Sequence, residues 1–214
     1  EIIRKDMDHA KEDWEKLYQS KKDSPLLIDA WLEKYNDILS SRKGKALDLG
    51  CGRGNDTAIL LEKGFDVTSI DYSKEAIDYV KKHFPKANVL VFDITNPLPF
   101  AKDSFSVIIA DLSLHYFTED KTEEILKEIA SLLAPSGVFL VRVNSINDTN
   151  FGAREGKEVE NHLYEKEGST KRFFSSMDIE SFFSCFSSLS YKEERMSRYG
   201  KEKVLFEIVA YKPQ

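Results

Sequence analysis

The stretch ALDLGCGRGND, residues 46–56, carries a short apolar run, broken only by Asp48, into three glycines at Gly50, Gly52 and Gly54; a helical pattern resumes at Thr57. A strand that enters Gly-x-Gly-x-Gly and leaves as a helix lets a ligand approach the backbone, because glycine has no Cβ and adopts positive φ. The helix N-terminus beyond it favours negative charge. Three ligand classes use such a turn. A P-loop needs Lys-Ser or Lys-Thr after its last glycine, but Gly54 is followed by Asn55 and Asp56. A dinucleotide loop needs its third glycine where Asn55 stands, and Asp56 at the helix start would repel a diphosphate. What fits better is an amino-acid end, with its carboxylate near peptide N–H groups and its ammonium near carbonyls and the aspartate.

Outward from that turn, residues 45–144 alternate short apolar runs with amphipathic ones, the pattern of a parallel sheet with helices on both faces. KALDL, DVTSID, NVLVF, SVIIAD and VFLVRVN read as strands. NDTAILLEKG, closed by Gly64, KEAIDYVKKHF behind the N-cap Ser73, and KTEEILKEIASLL, ended by APSG, read as helices. Asp71 closes the second strand about 20 residues past the glycines, where a carboxylate can accept from both ribose hydroxyls. Asp93 ends the third strand, placed to accept from an adenine amine beside the backbone of Ile94.

Taken in order, ALDLGCGRGND, SIDYS, VFDIT, SFSVIIADLSLHYF and LLAPSGVFLVRVNS resemble the successive motifs of class I S-adenosylmethionine-dependent methyltransferases, over roughly residues 45–145. The resemblance implies a doubly wound, Rossmann-like α/β fold: a seven-stranded, mostly parallel sheet with a reversed strand in its C-terminal hairpin. It implies that Gly50 and Gly52 border the methionine moiety, that Asp71 binds ribose, that Asp93 and Ile94 bind adenine, and that Ala110 or Asp111 faces the methionine amine. Asp48, Cys51, Asn55, Tyr72 and Leu112 complete the candidate cofactor set. Cys51 reads as a small filler, since no histidine or metal-ligand pattern accompanies it. Nicotinamide-dependent reduction, polyamine synthesis with the decarboxylated donor, and a non-catalytic cofactor scaffold are the competing readings.

Methyl transfer from a sulfonium is an in-line displacement with an activated leaving group, so alignment and exclusion of water matter more than acid–base chemistry. Where a base helps, His115 in LSLHYF and Asp111 are the candidates. Acceptor recognition is expected outside the shared core. WEKLY and LLIDAWLEKYNDIL read as two amphipathic N-terminal helices presenting Trp14, Tyr18 and Trp31. A long polar connection after the fifth strand supplies Arg142, Asn144, Tyr164, Lys171 and Arg172. Past it, Ser175 and Asp178 have capping-box spacing, and LSYKEERMSRY with EKVLFEIVAYK reads as a hairpin joined at Gly200.

The 214 residues suit a single domain: a helical cap over 1–43, a cofactor-binding core over 44–144, and an acceptor-side loop, helix and hairpin over 145–214. A net charge of −6 leaves no overall footprint for nucleic-acid phosphates, and no apolar run is long enough to span a membrane. Two cysteines far apart argue against a disulfide scaffold or a metal site. The charged N-terminus does not read as a secretory signal. The expectation is a cytoplasmic monomer or homodimer acting on a small molecule.

Overall fold

The computed structural model describes residues 12–21, 24, 26 and 28–213; the charged segment before residue 12 and Leu27 of the expected second helix lie outside them. Five parallel strands form the centre: β1 (Lys45–Leu49), β2 (Asp66–Asp71), β3 (Asn88–Val91), β4 (Phe105–Asp111) and β5 (Leu133–Asn144). The hairpin β9 (Leu189–Arg198) and β10 (Lys201–Tyr211) completes a seven-stranded sheet in the order β3-β2-β1-β4-β5-β10-β9. β10 alone runs opposite to the other six strands. The order reverses between β1 and β4, and a doubly wound sheet opens its ligand crevice at the carboxyl ends of such a pair.

The helices stop and start where local chemistry says they should. In α4 (Lys74–His83) the Ser73 hydroxyl accepts the Ala76 N–H at 3.1 Å, and in α6 (Ser176–Phe182) Ser175 and Asp178 cap each other reciprocally. The helix α5 (Glu119–Leu132) begins two residues before KTEEILKEIASLL because Thr118, not a residue within that run, supplies the cap. On one face of the sheet, Ile125, Leu126 and Ile129 of α5 join Ile179, Phe182, Phe183 and Phe186 over Phe139 and Phe174. Four of the largest fully buried side chains are Phe139, Phe173, Phe174 and Phe183, and each such ring contributes roughly 1.5–3 kcal/mol of burial. The other face is covered by Leu32, Leu39, Ile59 and Leu60.

Two expectations change. LLIDAWLEKYNDIL is not one helix: a 3-10 turn at Trp31–Tyr35 leads into the short α2 (Asn36–Ser40), and residues 28–30 are irregular. Asp29 explains the late start, since its carboxylate accepts the Trp31 N–H at 3.2 Å and holds that turn open. The connection after β5 is also not a plain loop. It folds as a three-stranded antiparallel meander, β6 (Lys157–Glu160), β7 (Leu163–Lys166) and β8 (Ser169–Arg172). Its strands are four residues long and polar, so they carry little of the alternation by which strands are recognised. No described helix is long and apolar enough to cross a membrane.

Candidate active site

At the carboxyl ends of β1 and β4 lies a cavity of about 750 Å³, within the range of small-molecule sites. Its first half is the glycine turn. Gly50 and Gly52 hold φ at +71° and +50°. A Cβ on Gly50 would come within 2.4 Å of the Ser113 Cβ, and one on Gly52 within 2.8 Å of the Tyr18 hydroxyl. Neither position has room for a side chain. The helix α3 (Asn55–Glu62) departs from this turn. At the end of β2, Asp71 accepts the Gly52 N–H on one oxygen and the Ser73 N–H on the other, each at 2.9 Å, so the same carboxylate that faces the cavity also shapes the loop. Asp93 staples its own turn by accepting from the Thr95 N–H and hydroxyl through one oxygen, Oδ1.

Under the turn sits an unusual density of acid. Asp48 is buried and accepts the Thr57 hydroxyl at 2.6 Å. Burial pushes its carboxyl up to about 7, against the Thr57 hydrogen bond and with help from Asp111 and Asp71 nearby. Asp56 is buried as well and raised mainly for the same reason; it turns back to accept the Trp31 indole N–H at 3.0 Å. One guanidinium answers this cluster. Arg142 pairs with Asp111 through Nε at 2.6 Å and Nη2 at 2.8 Å, and with Asp29 through Nη2 at 2.7 Å, while its plane lies 4.7 Å from the Trp31 ring. Asn55 and the backbone of Asp29 exchange hydrogen bonds, which ties the N-terminal segment to the glycine turn.

A helical segment over residues 12–20, α1, crosses this half. Trp14, Leu17 and Tyr18 line the cavity. The Trp14 and Tyr18 rings stack at 5.6 Å, and the Trp14 indole donates to the Tyr116 hydroxyl at 3.2 Å.

The second half is built after β4 and from the C-terminal third of the chain. His115, Asn144, Phe151, Lys171, Met196, Arg198 and Lys203 line it. The buried Lys203 donates to Asn144 Oδ1 at 2.8 Å and to Asp148 Oδ2 at 2.7 Å. His115 is buried with no hydrogen-bond partner at Nδ1 among the described residues. Burial, and then Lys171, Lys203 and Arg198, hold its ring neutral, well below the usual imidazole range. Lys171 is also lowered by burial, and its ammonium meets the Phe151 carbonyl at 3.4 Å.

Of the residues singled out from the sequence, Asp48, Gly50, Cys51, Gly52, Asn55, Asp71, Tyr72, Asp93, Ile94, Asp111 and Leu112 line this cavity, with Trp14, Tyr18, His115, Arg142 and Asn144. Cys51 also packs with Ile77 and Val80. Five assignments are corrected. Trp31 lies behind the site, buried against Arg142 and Asp56. Tyr164 packs on Phe173 in the meander, and Arg172 is spent on Glu160 and the carbonyls of Phe117 and Asn161. Ala110 is core beneath the cavity. Asp111 lines the cavity, but both of its oxygens accept from Arg142, so neither is free to take a proton from an acceptor. Asp29, Ser113, Tyr116, Phe151, Met196, Arg198 and Lys203 line the site without having been expected there. Tyr116 adjoins His115 and was within reach of the motif; the residues of the hairpin and of the Phe151 turn had no local signal.

Residues 46–137 match the methyltransferase domain family. A methyltransferase of Oceanobacillus iheyensis, itself uncharacterized, is 31% identical over 165 residues, 73% of each chain. The chain belongs to the methyltransferase family. A trans-aconitate 2-methyltransferase of Delftia acidovorans is 32% identical over 100 residues, 45% of this chain and 37% of that enzyme. In three dimensions, this methyltransferase is similar to 1,6-didemethyltoxoflavin-N1-methyltransferase of Burkholderia thailandensis, solved with its substrate and S-adenosylhomocysteine. The TM-score is 0.70 at 21% identity, covering 98% of this chain and 91% of that one. The fold is that of the class I S-adenosylmethionine-dependent enzymes.

Proposed function

We propose that this methyltransferase moves the methyl group of S-adenosylmethionine to a small-molecule acceptor and releases S-adenosylhomocysteine. The observation that carries the reading is one continuous cavity whose first half offers side-chain-free glycine backbone and strand-end carboxylates, and whose second half has a different set of polar groups. The donor supplies a methyl on a sulfonium, a leaving group that needs no further activation. Asp71 is assigned to the ribose hydroxyls, and Asp93 with Ile94 to the adenine. Asp48 and the carbonyls of the glycine turn are assigned to the ammonium; an excess of carboxylate over guanidinium suits a cationic ligand. Trp14 and Tyr18 close over this half and exclude water. The early third glycine and the buried carboxylate of Asp56 stand against a dinucleotide.

His115 is neutral and therefore has a lone pair to offer at neutral pH, yet the burial that chiefly keeps it neutral, with the nearby cations, also makes it a weak base. Rate enhancement then rests chiefly on alignment. The small-molecule acceptors of the trans-aconitate and toxoflavin enzymes support an acceptor of that size. Calorimetric titration tests the donor: S-adenosylhomocysteine binds and NADH does not. Asp71→Ala weakens that binding by about 1.5–3 kcal/mol, the worth of a charge-assisted hydrogen bond; unchanged affinity removes Asp71 from the site.

A further inference from the structure

The second half of the cavity has a charge opposite to that of the molecule. The chain carries a net charge of −6, yet Lys171, Arg198 and Lys203 line this half together, and of the three only Lys203 is paired with a carboxylate among the described residues. The largely buried Lys171 ammonium meets the carbonyl of Phe151 at 3.4 Å and has no carboxylate in ion-pair contact among the described residues, although Asp148 lies near enough to act on it. The half-buried Arg198 lies 5.4 Å from the ring of its neighbour Tyr199 and makes no ion pair there. Like charges gathered in one half of a cavity repel one another, and that cost is relieved when an anion enters.

Two buried groups point the same way. An ammonium has only donors, so the atom of Asn144 that faces Lys203 has to be the oxygen, which leaves the amide N–H2 without a partner among the described residues while the residue is only 2% exposed. A buried amide donor left unpaired costs roughly 1–3 kcal/mol. Nδ1 of His115, 4% exposed, is likewise without a partner among the described residues. The Phe151 ring, 4.7 Å from the Lys203 ammonium, adds apolar surface beside these donors, which suits an organic body behind the charged group.

Building on the donor assignment above, we propose that the acceptor is a carboxylate-bearing small molecule, anchored by Lys171, Arg198 and the Asn144 amide. The anion also bears on His115: a carboxylate beside the ring offsets the three cations and raises its basicity once the acceptor is seated. The unliganded site thus keeps its histidine a poor base, and the acceptor itself improves it.

The test separates this inference from the donor reading. The full chain is titrated first with S-adenosylhomocysteine, then, with that ligand in place, with benzoate and succinate against benzamide and succinamide, and with inorganic phosphate. The expected result is binding of at least one acid at least tenfold tighter than its amide and tighter than phosphate. Lys171→Met and Arg198→Gln each remove most of that preference and leave S-adenosylhomocysteine affinity within twofold. The His115 ring carbon resonance moves on addition of the acid and not of the amide. No binding of S-adenosylhomocysteine sinks the donor assignment. If it binds while acids and amides bind alike, or only phosphate binds, or neither acid binds, the carboxylate proposal alone is overturned.

Discussion

Asp48 is the residue on which the acidic half of the cleft is balanced. Its carboxyl is buried, bonded to Thr57 and pushed up to about 7, while in the unfolded chain it titrates near its ordinary value of 3.8. A raised folded value means that Asp48 favours the fold most below pH 4, and that this contribution is lost as pH rises through about 7. On the proposed assignment, a bound ammonium draws the carboxyl back toward its ordinary range, so donor binding is expected to release a proton and to tighten as pH rises through 7. Calorimetry at pH 6.5 in two buffers of different ionisation enthalpy should therefore give different apparent enthalpies for S-adenosylhomocysteine. In Asp48→Asn the difference vanishes, the ligand-free protein melts roughly 2–5 °C higher at pH 8, and the ligand binds more weakly. The sequence displayed Asp48, Asp71 and Asp93 because strand-end acids have a fixed place in a local motif. It did not display Arg142 as the counter-ion of Asp111 and Asp29, since that pairing joins β5 to β4 and to the irregular segment at Asp29.

The elements divide by how local their signals are. The alternating core was legible from apolar period and caps, with Ser73, Ser175 and Asp178 acting where they were expected. The meander was not, because its stability depends on turn geometry and on contacts distant in sequence. Gly156 shows this: its φ is +86°, and a Cβ there would lie 2.2 Å from the Glu165 carbonyl oxygen across β6 and β7. Gly156→Ala should therefore open the meander and displace Lys171 on β8. The expected outcome is a rise in acceptor KM of tenfold or more with S-adenosylhomocysteine affinity unchanged, read by product release and by titration. The single long helix expected around Trp31 fails for a comparable reason: Asp29 takes the Trp31 N–H and turns its carboxylate to Arg142, so a side-chain interaction overrides helical periodicity.

At the scale of the molecule, the sheet is a rigid floor and α1 a cover. The strands β1, β4 and β5 are buried on both faces, whereas α1 reaches the cleft through Trp14, Leu17 and Tyr18 and is tied down by a hydrogen bond from Trp14 to Tyr116 and one from the Glu75 N–H to Glu15. Local opening follows such differences in burial. Hydrogen exchange should find the amides of α1 among the fastest and those of β1, β4 and β5 the slowest. S-Adenosylhomocysteine should slow α1 specifically, and α1 amides that ignore the ligand would show that the helix does not close over it. The two halves of the cleft also have separate ancestry within the chain. The acidic half comes from residues before β5 together with Arg142, and nearly all of the basic half from Asn144 to Lys203. On the proposed assignment, substitutions in the meander and at the tip of the β9–β10 hairpin change which acceptor is taken and leave the binding of the methyl donor as it is.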